Sequence, residues 1–117
     1  MNRRRRAERG GRRAETLAAW WLRLKGYAIL ARRVRTPVGE IDLIVRRGRV
    51  VAFVEVKARA TGNEAALALD EYRLRRVAAA AEALAPRFAR PGDDIRIDAV
   101  VVVPTRLPRH MVDVWRG

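Results

Sequence analysis

Cysteine is absent from the 117-residue chain, and so is serine. Without thiols there is no disulfide framework, zinc–thiolate site or cysteine nucleophile, and without serine there is no Gly-x-Ser-x-Gly elbow. A single histidine, His110, rules out a two-histidine metal site. It stands between Pro-Arg and Met in what reads as a late loop, where a lone histidine is expected to face solvent. No Gly-x-x-x-x-Gly-Lys phosphate loop is present, and no Gly-x-Gly-x-x-Gly after a strand. No apolar run approaches the roughly 20 residues of a membrane span, and the N-terminus lacks the apolar core of a signal peptide. A cytoplasmic protein with no membrane partner is the expectation.

Acidic residues are scarce beside basic ones, 13 against 26, for a net charge of +13. Such a field draws polyanions, and the abundant cellular ones are nucleic acids. Compositional bias offers a blander account, since all but two of the basic residues are arginine. That bias makes the exceptions, Lys25 and Lys57, informative. An ammonium is a compact point charge that fits beside a water or phosphate oxygen, where a guanidinium is a wide planar fork.

Half of the residues are apolar, enough for a packed core. The length suits one domain. Residues 1–13, with seven arginines and one glutamate, read as a flexible basic arm ahead of a single domain over 14–117. The arm can lie on a phosphate backbone or serve as a solvated tail.

The most informative stretch is 39–57, which reads as two strands around a turn at Arg47-Gly48. Strand side chains alternate faces. Glu40, Asp42 and Ile44 therefore share one face of the first strand, and Ile41, Leu43 and Val45 the other. Phe53, Glu55 and Lys57 share a face of the second. With the turn centred on Arg47-Gly48, Asp42 faces Phe53, Glu40 faces Glu55, and Asp42 lies diagonal to Glu55 at roughly 5.5–8 Å. Glu40, Asp42, Glu55 and Lys57 then converge on one patch. A half-solvated sheet face with a cross-strand Glu–Lys pair is the plainer alternative.

Around this hairpin, Ala14, Leu17, Ala18, Trp21 and Leu24 recur at helical spacing and predict a helix over 14–25, with Glu15 at the border of its apolar arc. From spacing alone, an ordinary boundary glutamate explains Glu15 better than a site residue does. Trp20 and Trp21 read as core and interface filling rather than base-stacking platforms. A strand is expected over 27–36, with Arg32, Arg33 and Arg35 making its far end basic. A helix over 64–85 follows, in one or two pieces, with Asp70 as an N-cap and Pro86 as its stop. Arg59, Arg73 and Arg76 are available to phosphate. Strands over 95–103 and 111–115 complete the order α-β-β-β-α-β-β, an α/β fold with a central mixed sheet flanked by helices. The second helix, as a crossover, makes the third and fourth strands parallel.

The chemistry this patch suggests is metal-assisted. Hard divalent cations take oxygen ligands. Asp42 and Glu55 supply carboxylates and the Val56 carbonyl a third oxygen, while Lys57 positions a water or steadies charge on a phosphate.

Asp42, a twelve-residue gap and Glu55-Val56-Lys57 resemble the signature of the PD-(D/E)xK nuclease superfamily. More closely, Gly-Glu-Ile-Asp-Leu-Ile (39–44) with Phe-Val-Glu-Val-Lys-Ala-Arg (53–59) resembles the YraN-like family of predicted bacterial endonucleases, itself similar to archaeal Holliday junction resolvases. The likeness extends through Ala14-Glu15, Gly26-Tyr27 and Arg96-Ile97-Asp98. It implies a restriction endonuclease-like fold and a Mg²⁺- or Mn²⁺-dependent endonuclease that hydrolyses DNA phosphodiester bonds, with branched or damaged DNA as substrate and a homodimer as the working form. Carried over residue by residue, it makes Glu15 the helix-borne acid, Asp42 and Glu55 the metal ligands and Lys57 the catalytic lysine. Asp98 matches a family position with no catalytic role assigned. The chain departs from the pattern in having Ile41 where the superfamily has proline, Ala14 before the helix glutamate, and Arg73-Leu74 where the family usually carries Lys-Gln. The alternative function is a nucleic-acid-binding module of the same fold with weak or no catalysis.

Overall fold

A hairpin turn sets the geometry of everything around it. In the computed structural model, which describes residues 3–63 and 69–115 and side chains from residue 11 onward, Gly48 takes φ +60°. A two-residue hairpin loop favours glycine at its first central position. The turn is therefore Gly48-Arg49, one residue later than the sequence suggests. Strands β2 (Gly39–Arg47) and β3 (Val50–Ala58) pair Arg47 with Val50, Ile44 with Phe53 and Leu43 with Val54. The expected Asp42–Phe53 and Glu40–Glu55 pairings are thus wrong by two residues. A shift of two keeps the parity of the pairing, so the Asp42 and Glu55 carboxylates stay on one side of the sheet.

Among the described residues the sheet has five strands. β1 (Ala28–Thr36), β4 (Asp94–Val102) and β5 (Arg109–Met111) join the hairpin in the order β1-β2-β3-β4-β5. All neighbours are antiparallel except β3 and β4, whose parallel pairing is the one the crossover predicts. Helix α1 (Arg3–Leu24) covers one face and α2 (Glu71–Phe88) the other. This is an α/β architecture in the order α-β-β-β-α-β-β, compatible with the restriction endonuclease-like fold. No helix among the described residues is long and apolar enough to cross a membrane.

Two cores result. On the α1 side Ala14, Ala18, Ala19 and Leu22 pack on Leu43, Val45, Ala52, Val54, Val100 and Val102. The helix stripe is rotated from the expected one. Small alanines let the helix lie close to the sheet, and Leu17, Trp20 and Leu24 are left exposed, so Trp20 fills no core. Glu15, three, four and seven residues before Ala18, Ala19 and Leu22, is turned towards the sheet by that rotation. On the α2 side Leu74, Val77, Ala80, Ala81 and Leu84 pack on Ile44, Val51, Phe53 and Ile97. Residues 99–103 of β4 and its end are buried throughout, as a strand covered on both faces requires.

Other boundaries differ locally. The helical backbone of α1 begins at Arg3, within the stretch expected as an arm. Asp70 caps α2 through Tyr72 N–H and Arg73 N–H, as its position predicts, whereas residues 64–68 of the expected helix lie outside the described ones. Pro86 does not end α2. It sits one turn from the end, where the single lost bond leaves the carbonyl of Glu82 on the exposed side.

Candidate active site

The site forms where the β2–β3 ladder stops. Beyond the Leu43–Val54 pair, the Val56 N–H donates not to a backbone carbonyl of β2 but to Asp42 Oδ2, at 2.7 Å. A side chain thereby takes the place of a strand bond, and the two strands part around it. The neighbouring backbone is irregular. Leu43 and Val45 pack towards α1, but Ile41 joins the α2-side core with Ile44, so strict alternation fails at Asp42. The wholly apolar reverse face expected for Ile41, Leu43 and Val45 is corrected accordingly. Opposite Asp42 in β1, between the pairs Arg32–Leu43 and Val34–Ile41, Arg33 adopts φ +51°, a conformation that turns the strand.

A cleft of about 280 Å³ opens here, walled by Glu40 and Asp42 from β2, Glu55 from β3, and Tyr72, Arg73 and Arg76 from α2. Gly39 closes its floor. A Cβ on Gly39 would stand 2.9 Å from the Arg76 carbonyl oxygen, closer than real Cβ contacts come, so only glycine lets β2 and α2 approach this far. Gly39→Ala is expected to cost about 1–3 kcal/mol by forcing α2 outward, read as a lowered midpoint in thermal melting.

The acids of the site are held differently. Glu55 is buried, 2% exposed, and Arg73 Nε lies 3.0 Å from its Oε1, near enough to offset its charge but too poorly directed for a hydrogen bond. Among the described residues, both Glu55 oxygens and the Nζ of Lys57, 3% exposed on the same face of β3, have no hydrogen-bond partner. Buried charged groups left this way carry a desolvation cost that folding alone does not repay. Burial pushes the Asp42 carboxyl up to about 6 against the pull of the Val56 N–H. The charges of Glu15 and Glu55 contribute to that rise, and Arg73 opposes them. Glu15, from α1, is ion-paired with Arg33 and acts on Asp42 electrostatically without walling the cleft. Glu40 is half-exposed and paired with Arg35 at 3.6 Å.

The expected phosphate contacts divide. Arg73 and Arg76 wall the cleft. Arg33 and Arg35 hold acids at its margin, and Arg32 is exposed on β1 without reaching the wall. Arg59 instead lines a separate, largely apolar groove with Arg13, Leu17 and Arg106. Leu74, at the position that departs from the family pattern, is buried in the α2-side core. The sequence reading missed Tyr72, which walls the cleft, and Gly39. The Gly-Glu-Ile-Asp motif already held the signal for Gly39.

The donor set suits a hard cation. Among the described residues no three His, Cys, Asp or Glu side chains gather as a complete metal cage. Magnesium needs none: it is usually bound by one or two carboxylates, with waters and substrate phosphate completing its shell. Asp42 and the orphaned oxygens of Glu55 fit that pattern.

The model described as "Uncharacterised protein family UPF0102" matches residues 14–102, a span that takes in Glu15, Asp42, Glu55 and Lys57. The chain belongs to the UPF0102 family. This is the YraN-like family whose motifs the sequence resembles. A UPF0102 protein of Sphingopyxis alaskensis is 66% identical over 110 residues, covering 94% of this chain and 95% of the relative. One from Rhizorhabdus wittichii is 58% identical over 117 residues, covering 100% and 99% respectively. One from Erythrobacter litoralis is 57% identical over 110 residues, covering 94% and 95%.

The UPF0102 chain also has a polar cluster that the sequence reading misjudged. His110 is not an exposed loop residue. It lies in β5 with its side chain 2% exposed and its Nε2 2.8 Å from Asp98 Oδ2. Lys25 Nζ meets its other ring nitrogen, and an ammonium can only donate, so Nε2 carries the hydrogen given to Asp98. Arg96 binds both Asp98 oxygens at 2.8 Å and donates to the Tyr27 hydroxyl at 2.6 Å.

Proposed function

We propose that this UPF0102 protein is a metal-dependent endonuclease that hydrolyses DNA phosphodiester bonds, acting on branched or damaged DNA. The observation that carries the reading is a pair of buried charged groups, Glu55 and Lys57, that make no hydrogen bond among the described residues, beside the half-buried Asp42 where β2 and β3 part. Folding gains little from burying such groups without hydrogen bonds, and active sites are where buried charged groups of this kind collect. The strongly basic chain around three acids supports a polyanionic substrate.

Asp42 and Glu55, with the Val56 carbonyl, would hold Mg²⁺ or Mn²⁺. The cation, when bound, polarises a phosphoryl oxygen and acidifies a water. Lys57 holds that water or steadies charge growing on the phosphate. Glu15 supplies a further acid from α1. Arg73 and Arg76 receive phosphates at the cleft, with Arg32, Arg33, Arg35 and Arg59 extending the basic surface. Cutting both strands needs two sites, which a homodimer provides. Sedimentation giving only a 13.3 kDa species with and without DNA would remove that part of the proposal.

Calorimetry with magnesium tests the site. Wild type should take up the cation, and the Asp42→Asn, Glu55→Gln double variant should not; equal uptake would sink the proposal. Cleavage is then read on labelled branched, flapped, nicked and linear DNA with Mg²⁺ or Mn²⁺. A second reading, a nucleic-acid-binding module without turnover, draws on Leu74, an apolar residue committed to the core. Metal uptake and DNA binding without cleavage on any of these substrates would favour it.

A further inference from the structure

Tyr72 is the one aromatic residue in the wall of the carboxylate cleft, and it is 65% exposed. Its backbone is fixed: the N–H donates to the capping Asp70 Oδ1 at 2.9 Å, so the ring projects from the first turn of α2 on a rigid support. Among the described residues neither ring nor hydroxyl meets a hydrogen-bond or ring-stacking partner, although arginines stack on Trp20, Tyr27 and Phe88 elsewhere. Arg76 follows four residues on, over the same helical face, and Arg73 flanks it. The α2 core stripe is made by Leu74, Val77 and Leu84, so packing gives no reason for the aromatic.

A free aromatic face beside two phosphate-binding arginines matches the way single strands are held, with backbone charge met by arginine and bases stacked on rings. In a duplex each base is already stacked on its neighbours. A ring standing at the cleft mouth can receive only a base that has left the stack.

We propose that Tyr72 stacks on an unpaired base next to the phosphate that enters the cleft, so that the site selects DNA in which a single strand adjoins a duplex. The proposal rests on the nucleic-acid reading of the same cleft and adds which structure is chosen and by which residue. Arg73 and Arg76 hold phosphates on either side of the splayed nucleotide. The hydroxyl has no part in the selection.

The test uses flapped DNA carrying 2-aminopurine as the first unpaired base, and a blunt duplex of the same length. Binding is measured in magnesium in a Lys57→Met background, which keeps both carboxylates and prevents hydrolysis. With Tyr72 or Tyr72→Phe the fluorescence of the flapped base should be quenched on binding. Tyr72→Ala should lose the quench and weaken flap binding about 5- to 100-fold, the range for one base on one ring. Duplex binding should stay within about twofold, since Tyr72 is exposed and its replacement leaves the fold intact. Equal weakening on both DNAs, a Phe variant as poor as Ala, or no change with Ala would each overturn the inference. Its failure with magnesium uptake intact leaves the nuclease reading standing, whereas absent uptake with the quench intact removes that reading and keeps the stacking. No binding to either DNA overturns both.

Discussion

Lys57→Met should abolish the proposed metal-dependent hydrolysis and at the same time raise the melting temperature. The two effects have one origin. The Lys57 ammonium is 3% exposed, on the same face of β3 as Glu55, and makes no hydrogen bond among the described residues. Leaving a buried charged donor unmade costs about 1–3 kcal/mol or more, and methionine keeps the length of the side chain without the charge. Glu55 retains Arg73 at 3.0 Å, so removing the ammonium does not strand the acid. A gain of this size raises the midpoint by several degrees in a domain of this length. Activity should fall by about 10²- to 10³-fold or more, the cost of deleting one preorganised charge at a reacting phosphate. Lys57→Arg should be inactive as well, because a guanidinium does not fit where an ammonium is enclosed. The plainer account, a cross-strand Glu–Lys pair that holds the sheet together, predicts the opposite sign in melting. A lowered midpoint for Lys57→Met, with unchanged cleavage, would decide for that account and against a catalytic lysine.

The divergence of stability and activity bears on what could be read in the sequence. Strand and helix order was legible because β-branched runs and capped helical stripes are local signals; Asp70 as N-cap is the clearest case. The meeting of Asp42 and Glu55 was legible because a parity argument survives a register error of two. The register itself was not, since Arg47-Gly48 and Gly48-Arg49 both contain the glycine and only its positive φ decides between them. The irregularity at Asp42 was hidden because the positive φ that accompanies it, at Arg33, is in another strand and in a residue type that gives no warning. Rotation of α1 followed from space as well as hydrophobicity: alanine packs closest, so of the expected stripe Leu17 and Leu24 are left exposed, and Ala19 and Leu22 join Ala14 and Ala18 against the sheet. Tyr72 escaped notice because an aromatic early in a helix looks like any other, and His110 because its acceptor is twelve residues away on another strand.

Asp98→Ala is expected to be the most damaging single substitution outside the site. Asp98 is fully buried in β4, and its two oxygens accept from Arg96, His110 and the backbone N–H of Asp113. Through these partners it joins β4 to β5 and, by way of Arg96 and Tyr27, to the start of β1. Removing it leaves a guanidinium 18% exposed and an imidazole 2% exposed without their acceptor. Breaking a buried ion pair from one side costs about 3–5 kcal/mol, a large share of the 5–15 kcal/mol that holds a domain of this kind together. The pH dependence has a definite sign. Burial by itself would raise the Asp98 carboxyl, but the bonds from His110, Arg96 and Asp113 outweigh it and hold it at about 2, below the ordinary 3.8. The unfolded chain therefore binds the proton more readily, so the stabilisation is complete above about pH 4 and is lost as pH falls towards 2. Urea melts of wild type should weaken steeply over that window. Asp98→Asn, which keeps the shape but cannot carry the charge, should start lower and lose less there. A wild-type curve flat between pH 4 and 2, or an Asp98→Ala variant as stable as wild type, would show that β4 and β5 are held by backbone pairing and the cores alone.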